Sequence, residues 1–185
     1  MRVIAGVLKG RRLTTPRGSL TRPTADQVRI ALMDTLMPWL PGARLLDLFA
    51  GAGGVGIEGL SRGAAHAVLV ERDRRAATAL RENVEALGLG AVASVLQMDV
   101  ERALARLGAE GQRFDVVFLD PPYETALVPD TLARLGSGRL IRPGGVVVAQ
   151  HLTKRAPVLV ALPALERFRA RRFGETTLTF FRAGG

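Results

Sequence analysis

Five short apolar runs alternate with helical patterns across the middle of this 185-residue chain. The runs are apolar throughout rather than at every second residue, which is typical of parallel strands covered on both faces. Strands are predicted at residues 43–49, 67–71, 94–98, 114–120 and 145–150. Helices are predicted at residues 54–62, 74–87, 100–107 and 126–135. This order predicts an α/β, Rossmann-like fold with helices on both faces of the sheet.

The last part of the chain predicts two further strands. Residues 166–173 and 176–182 flank Gly174-Glu175, which indicates an antiparallel hairpin at the sheet edge. Together with the five parallel strands this predicts a seven-stranded, mostly parallel sheet. Within the hairpin, Arg167, Arg169 and Arg171 are expected to share one face, with Phe168 on the other.

The first part of the chain is predicted to be a basic extension. Residues 3–8 and 11–14 are expected to pair as a hairpin around Lys9-Gly10. Thr24-Ala-Asp-Gln27 looks like a capping box that opens a helix reaching about Met37. We therefore predict an N-terminal extension at residues 1–42 and a main domain at residues 43–185.

Composition excludes several classes of chemistry. The chain has no cysteine, which excludes disulfide frameworks, thiolate metal sites and a cysteine nucleophile. Its two histidines leave little for a histidine metal site, so no metal is expected. No uninterrupted apolar run reaches the roughly 18 residues of a membrane span, and the charged start does not resemble a signal peptide. We expect a cytoplasmic monomer that does not bind membranes.

Charge is concentrated at the two ends. The net charge of +9 divides into +6 over residues 1–46, −2 over residues 47–150 and +5 over residues 151–185. Two basic ends on a near-neutral body favour a polyanionic partner, and solvated arms that bind nothing are the alternative. Because aromatic residues are scarce, a folded RNA fits better than a stacked single strand. The candidate RNA-binding residues are Lys9, Arg11, Arg12, Arg22, Thr24 and Arg29. The arginines of the C-terminal strand are either a second RNA contact or a solvated face.

A glycine-rich loop follows the first predicted strand. Gly51, Gly53 and Gly56 match G-x-G-x-x-G, which brings backbone close to a ligand and aims a helix N-terminus at it. Glu71 ends the second strand, where a carboxylate can accept hydrogen bonds from both hydroxyls of a ribose. A strand-end charge facing water is the alternative. The pattern favours a nucleoside-containing cofactor and leaves a dinucleotide open.

Asp99 ends the third predicted strand, at the same edge of the sheet. It is placed to accept a hydrogen bond from an adenine amino group, with Met98 beside the ring. The alternative is an N-cap for the helix that follows, and the two roles can coexist.

Asp120-Pro-Pro-Tyr123 follows the fourth and most apolar strand. The prolines fix the backbone and lack N–H groups, so their carbonyls remain as acceptors. The Asp120 carboxylate and the Pro121 carbonyl would together accept both hydrogens of a planar amine, while Tyr123 stacks on its ring. The alternative is an ordinary tight turn after a strand.

Several segments resemble one known family. VIAGVLKGRRL, RPTADQVR, GARLLDLFAGAGGVGIEGLSRGA and FDVVFLDPPY, in this order, resemble the bacterial 16S ribosomal RNA guanine-N2 methyltransferase family D. The resemblance implies a class I methyltransferase domain at residues 43–185, S-adenosylmethionine as methyl donor, and a guanine in the head of the small ribosomal subunit, near the peptidyl site, as target. A small subunit or an assembly particle is then the expected partner.

The resemblance also implies roles for individual residues. Those expected to bind the cofactor are Asp47, Phe49, Ala50, Gly51, Ala52, Gly53, Gly56, Glu71, Arg72, Met98 and Asp99. Those expected to hold the target guanine are Asp120, Pro121, Pro122 and Tyr123.

This chain departs from the family pattern at two places. The helix after RPT usually reads R-E-x-L-F, whereas this chain has Ile30 and Met33 in place of the acidic residue and the phenylalanine. The fifth strand often ends in Glu, whereas this chain has Gln150. The alternatives to an rRNA enzyme are a DNA adenine-N6 or cytosine-N4 methyltransferase, a nicotinamide dehydrogenase, and a non-catalytic RNA-binding assembly factor.

Overall fold

The computed structural model describes residues 1–16, 23–122, 127–137, 139–155 and 164–184. Its helices are α1 (Pro23–Leu36), α2 (Gly54–Ser61), α3 (Arg74–Ala86), α4 (Val100–Ala109) and α5 (Leu127–Ser137). Its strands are β1 (Arg44–Asp47), β2 (His66–Val70), β3 (Ala93–Leu96), β4 (Phe114–Leu119), β5 (Ile141–Leu152), β6 (Leu165–Phe173) and β7 (Thr176–Ala183). No helix in these described ranges is long and apolar enough to cross a membrane.

The strands form one seven-stranded sheet in the order β3-β2-β1-β4-β5-β7-β6. Strands β1 to β5 are parallel, and β7 runs antiparallel to both of its neighbours. This confirms the predicted sheet and its closing hairpin. The strand order reverses between β1 and β4, and in open α/β sheets such a reversal leaves a crevice at the carboxyl ends of the strands.

The core lies on both faces of the sheet. One cluster packs under α1, α2 and α3 and includes Leu32, Ile57 and Leu80, and the other packs under α4 and α5. Met33 is fully buried in the first cluster, so the departure at this position replaces one large apolar side chain by another. Ile30 lies on the outside of α1, with 39% of its surface exposed.

The N-terminal segment differs from the predicted hairpin. A single antiparallel bridge joins Arg2 to Arg12, and residues 5–8 form bends and turns instead of a strand. The backbone N–H groups of Ile4 and Ala5 donate to the carboxylate of Glu58 on α2, at 2.7 and 2.9 Å. A buried charged acceptor satisfies these donors better than a short exposed ladder, because hydrogen bonds to charged groups are the stronger ones.

Helix α1 begins two residues earlier than the sequence pattern predicts. The predicted capping box places Thr24 ahead of the helix, but the helix already includes Pro23. Proline suits the first helical position because its backbone lacks the N–H that would have no partner there.

The edge strand β6 also corrects a prediction. Arg167 pairs with Phe181 but Arg169 pairs with Phe180, so Phe168 is the extra residue of a bulge. Arg167 and Arg169 therefore point to opposite faces. The reason is tertiary, because the Phe168 ring packs against Trp39, with ring centroids 6.0 Å apart.

Candidate active site at the carboxyl edge of the sheet

A cavity of about 460 Å³ opens at the carboxyl ends of the parallel strands. Eight residues predicted for the site line it: Phe49, Glu71, Arg72, Met98, Asp99, Asp120, Pro121 and Pro122. Five further lining residues were not predicted: Leu48, Val70, Val100, Glu101 and Leu127. The first three directly adjoin predicted site residues in the chain, and Glu101 follows Asp99 by two positions. That proximity is the signal by which these four could have been found.

The glycine loop packs closely against its neighbours. Gly53 has φ +92° at the N-terminus of α2, and a Cβ there would lie 2.6 Å from Leu80 Cδ1. A Cβ on Gly56 would lie 2.1 Å from Leu69 Cδ2. The positive φ of Gly53 therefore requires glycine, and a Cβ at Gly56 would force the Leu69 side chain to shift, so α2 approaches the sheet closely there.

The other loop residues act through their backbone. Ala50 N–H donates to the Val70 carbonyl at 2.9 Å, and the Ala52 carbonyl accepts from the buried Asn83 amide at 2.9 Å. Six predicted cofactor residues are not among those that line the cavity: Asp47, Ala50, Gly51, Ala52, Gly53 and Gly56.

Glu71 is held in a fixed orientation at the end of β2. Its Oε2 accepts from Gly51 N–H at 2.9 Å, and its Oε1 accepts from Asp73 N–H at 2.7 Å. Each carboxylate oxygen has a second lone pair, so the group retains acceptor capacity toward the cavity.

Asp99 has the capping role that was weighed as the alternative. It is the N-cap of α4, and its Oδ1 accepts from Arg102 N–H at 2.8 Å. It also lines the cavity and is exposed, so the cap leaves its other oxygen available to a ligand.

Two acids lie at the ends of the central strands: Asp47, which is buried, and Asp120, which is half-buried and lines the cavity. Burial raises the pKa of Asp47 to about 7, although the N–H groups of Phe49 and Gly56 donate to its carboxylate and lower that pKa in part. Burial also raises the pKa of Asp120 to about 7, and the negative charge of Asp47 adds to the effect. A cation bound here would lower the pKa of both acids, because an opposite charge favours the ionised form.

Comparison with known proteins places this site in a family. Residues 1–182 match the family model described as Conserved hypothetical protein 95. The Escherichia coli K12 Ribosomal RNA small subunit methyltransferase D is 34% identical over 168 residues, which cover 90% of this chain and 83% of that protein. This chain belongs to the same family.

Solved structures agree with the family's fold. A hypothetical protein of Thermus thermophilus, TTHA0928, is 39% identical, with a TM-score of 0.80 over 97% of this chain and 98% of that one. The T. thermophilus 16S rRNA N2 G1207 methyltransferase, in complex with AdoMet and guanosine, is 26% identical with a TM-score of 0.70. That match covers 90% of this chain and 44% of the other. The chain has the class I methyltransferase fold.

The Asp-Pro-Pro-Tyr segment of this family member is described in part. Pro121 is buried and Pro122 is exposed, and both line the cavity. Tyr123, predicted to stack on the target base, lies outside the described residues.

The basic candidates divide into two groups. Lys9, Arg11 and Arg12 are exposed on the N-terminal segment, as an RNA contact requires. Arg22 and the side chain of Thr24 lie outside the described residues.

Arg29 is a correction to the predicted RNA-binding set. Only 6% of its surface is exposed, and its Nη2 donates to the Arg2 carbonyl at 2.8 Å and to Asp26 Oδ1 at 3.0 Å. The guanidinium therefore holds the start of the chain against α1 and is not available to a phosphate on the surface.

Glu58 is a residue that sequence reasoning missed. It is fully buried and accepts from Ile4 N–H, Ala5 N–H and Arg62 Nε. The available signal was a single charged residue in the otherwise apolar and small-residue helix GVGIEGLS, where a buried acid must find partners.

Proposed function

We propose that this protein transfers a methyl group from S-adenosylmethionine to the exocyclic N2 amine of a guanine in 16S rRNA, in the head of the small subunit near the peptidyl site. The observation that carries the proposal is the position of Asp120. Its carboxylate lies in the same cavity as Glu71 and Asp99, so an amine held by Asp120 would meet a nucleoside held by the other two. The names of the Escherichia coli relative and of the Thermus guanosine complex support this substrate.

The residues present fit S-adenosylmethionine. Leu48, Val70 and Met98 supply apolar walls for a planar base, and Glu71 presents oriented oxygens to a ribose. A cationic sulfonium suits this site, because burial disfavours the ionised forms of Asp47 and Asp120 and a nearby positive charge would favour them. Among the described residues there is no cluster of three or more acidic or histidine side chains that could hold a metal.

Asp120 and Pro121 would prepare the nucleophile. An exocyclic base amine is a poor nucleophile because its lone pair is delocalised into the ring. When the Asp120 carboxylate and the Pro121 carbonyl accept its two hydrogens, the nitrogen is held in a geometry that leaves its lone pair directed away from both acceptors. The bound donor supplies an electrophilic methyl carbon beside a positively charged sulfur.

The transfer balances without a metal or an oxidant. The amine nitrogen would form a bond to the methyl carbon as the carbon–sulfur bond of the donor breaks, with the electron pair left on the sulfur. The methylated nitrogen then releases one proton. Asp120 is placed to accept it, and a pKa of about 7 suits a group that takes a proton and returns it to water at neutral pH.

The exposed N-terminal cations would hold the RNA. Lys9, Arg11 and Arg12 lie on a segment whose turn is anchored to α2 through Glu58 and Ser61. Helix α2 also begins at the glycine loop, so one rigid element joins the proposed RNA contact to the proposed cofactor site. Such contacts would supply affinity through phosphates and not through base identity.

Incubation with labelled S-adenosylmethionine tests the proposal. The protein is mixed separately with undermethylated small subunits, with free 16S rRNA and with duplex DNA, and the modified nucleoside is mapped. We expect N2-methylguanosine at one position in the head of the subunit. Label in DNA, or on an adenine, contradicts the proposal, and saturable cofactor binding without transfer to any of the three substrates indicates a non-catalytic RNA-binding protein.

A further inference from the structure

We propose that Gln150 is a positioning residue that holds one oxygen of Asp120, so that the other oxygen faces the substrate amine. Gln150 Nε2 donates to Asp120 Oδ2 at 3.0 Å. The inference rests on the proposed function for the identity of the amine, but the contact itself does not depend on it.

The placement of Gln150 is fixed by the sheet. Leu119 on β4 is in register with Ala149 on β5, so Asp120 and Gln150 are the next pair along these parallel strands. On its other side Gln150 is paired with the buried Leu178 of β7. A side chain on a strand with two partners moves less than one on a loop, which is what orientation of a reacting group needs.

Asp120 needs such support because its own backbone supplies little. It stands just beyond the last residue of β4, and Pro121 and Pro122 follow it without N–H groups to donate. Among the described residues, Gln150 is the one side chain that donates to its carboxylate. With Oδ2 engaged, Oδ1 is the oxygen left for a ligand in the cavity.

The amide also distinguishes this chain from the family, in which Glu often ends the fifth strand. An Arg here would neutralise Asp120, whereas a Glu would add a negative charge beside Asp47 and Asp120. Among the described residues, the charged groups around Asp120 are Asp47 and, along the cavity, Glu71, Arg72, Asp99 and Glu101. A neutral donor orients the carboxylate and favours its ionised form without cancelling its charge.

Two substitutions test this role, with one control. Q150M keeps the length of the side chain and removes the donor, and Q150E replaces the donor by a negative charge. Q112E adds the same charge at the amino end of β4, next to Arg44 and far from the cavity. All three are first compared with wild type by thermal unfolding to confirm that they fold.

The first measurement is an NMR titration of the Asp120 carboxyl carbon in the ligand-free protein, with D120N used to assign the signal. We expect Asp120 to titrate at higher pH in Q150M than in wild type, higher again in Q150E, and unchanged in Q112E. An Asp120 titration that is the same in Q150M, Q150E and wild type would falsify the positioning role.

The second measurement is the pH dependence of kcat and of KM for methyl transfer. We expect Q150M to lose about tenfold to a hundredfold in kcat at pH 7.5, with KM for S-adenosylmethionine little changed. Its activity should recover in part as pH rises and Asp120 ionises. A loss confined to KM for the cofactor contradicts the proposal. If wild type itself transfers no methyl group to RNA, the proposed function fails while the NMR result still decides the contact.

Discussion

Two carboxylates in this protein, the fully buried Glu58 and the half-buried Asp120, have opposite surroundings. Glu58 accepts from two backbone N–H groups and from the Arg62 guanidinium, all within 2.9 Å. Asp120 accepts from one side-chain amide among the described residues, and burial raises its pKa to about 7. A carboxylate whose lone pairs are used holds the structure together, whereas one with spare capacity in a cavity is available to a ligand. The comparison predicts different consequences when each is removed.

The largest expected effect is on catalysis. D120A should lower turnover about a thousandfold or more, because both orientation of the amine and acceptance of its proton are lost. Cofactor binding, measured by calorimetry, should change by less than about tenfold. D115N is the matched control, since Asp115 lies on the same strand at the opposite edge, where it accepts from Arg44 N–H. Near-normal turnover in D120A would mean that Asp120 has no chemical role.

Removal of Glu58 should instead reduce stability. E58A leaves two backbone donors and the Arg62 Nε without their acceptor, and we expect the free energy of unfolding to fall by about 3 kcal/mol or more. Urea denaturation measures it, with E82Q on the exposed face of α3 as control. If E58A is as stable as E82Q, Glu58 does not anchor the N-terminal segment.

The pH dependence of stability should separate the two acids further. The pKa of Asp120 is about 7 in the folded protein and near 3.9 when unfolded, so the folded state binds more protons between these values. Its contribution to stability is present below pH 4 and is lost as pH rises toward 7. The free energy of unfolding of D120N should therefore rise relative to that of wild type by about 1 to 2 kcal/mol as the pH increases from 4 to 7.5. A constant difference across this range would mean that Asp120 is not destabilised by burial.

The smallest expected effect concerns RNA affinity. K9A/R12A should weaken binding about tenfold at moderate salt and reduce the slope of log affinity against log salt by about 1.5 to 2. R113A/R139A removes two exposed charges elsewhere and is the control. E58Q should weaken RNA binding in the same direction if the anchored turn presents these cations. Equal slopes in both double variants would place the RNA contact on another surface.

The regular elements of this fold were predictable from local pattern. All five parallel strands, the four helices between them and the closing hairpin occur where the sequence places them, with ends shifted by a few residues. Strands that are covered on both faces are apolar throughout, so these short runs can be located in the sequence. Three acids that line the cavity were predictable for the same reason, since Glu71, Asp99 and Asp120 each follow a strand whose end the pattern locates.

The irregular parts were not predictable, because long-range contacts decide them. The N-terminal turns depend on hydrogen bonds to Glu58, which lies more than fifty positions away in the chain. The bulge in β6 follows the packing of Phe168 on Trp39. Arg29 is of a residue type that is usual in RNA contacts on a surface. Only the structure shows that it is buried and donates hydrogen bonds to Arg2 and Asp26.

By itself, the sequence determined the order of the elements, the glycine positions of the loop and which acids reach the carboxyl edge, because these depend on neighbours within a few residues. Only the tertiary structure decided how those acids are partnered. Asp120 and Gln150 stand thirty residues apart and meet because β4 and β5 pair in one register. Burial and hydrogen bonding then set the charge of each acid, and both are properties of the assembled sheet.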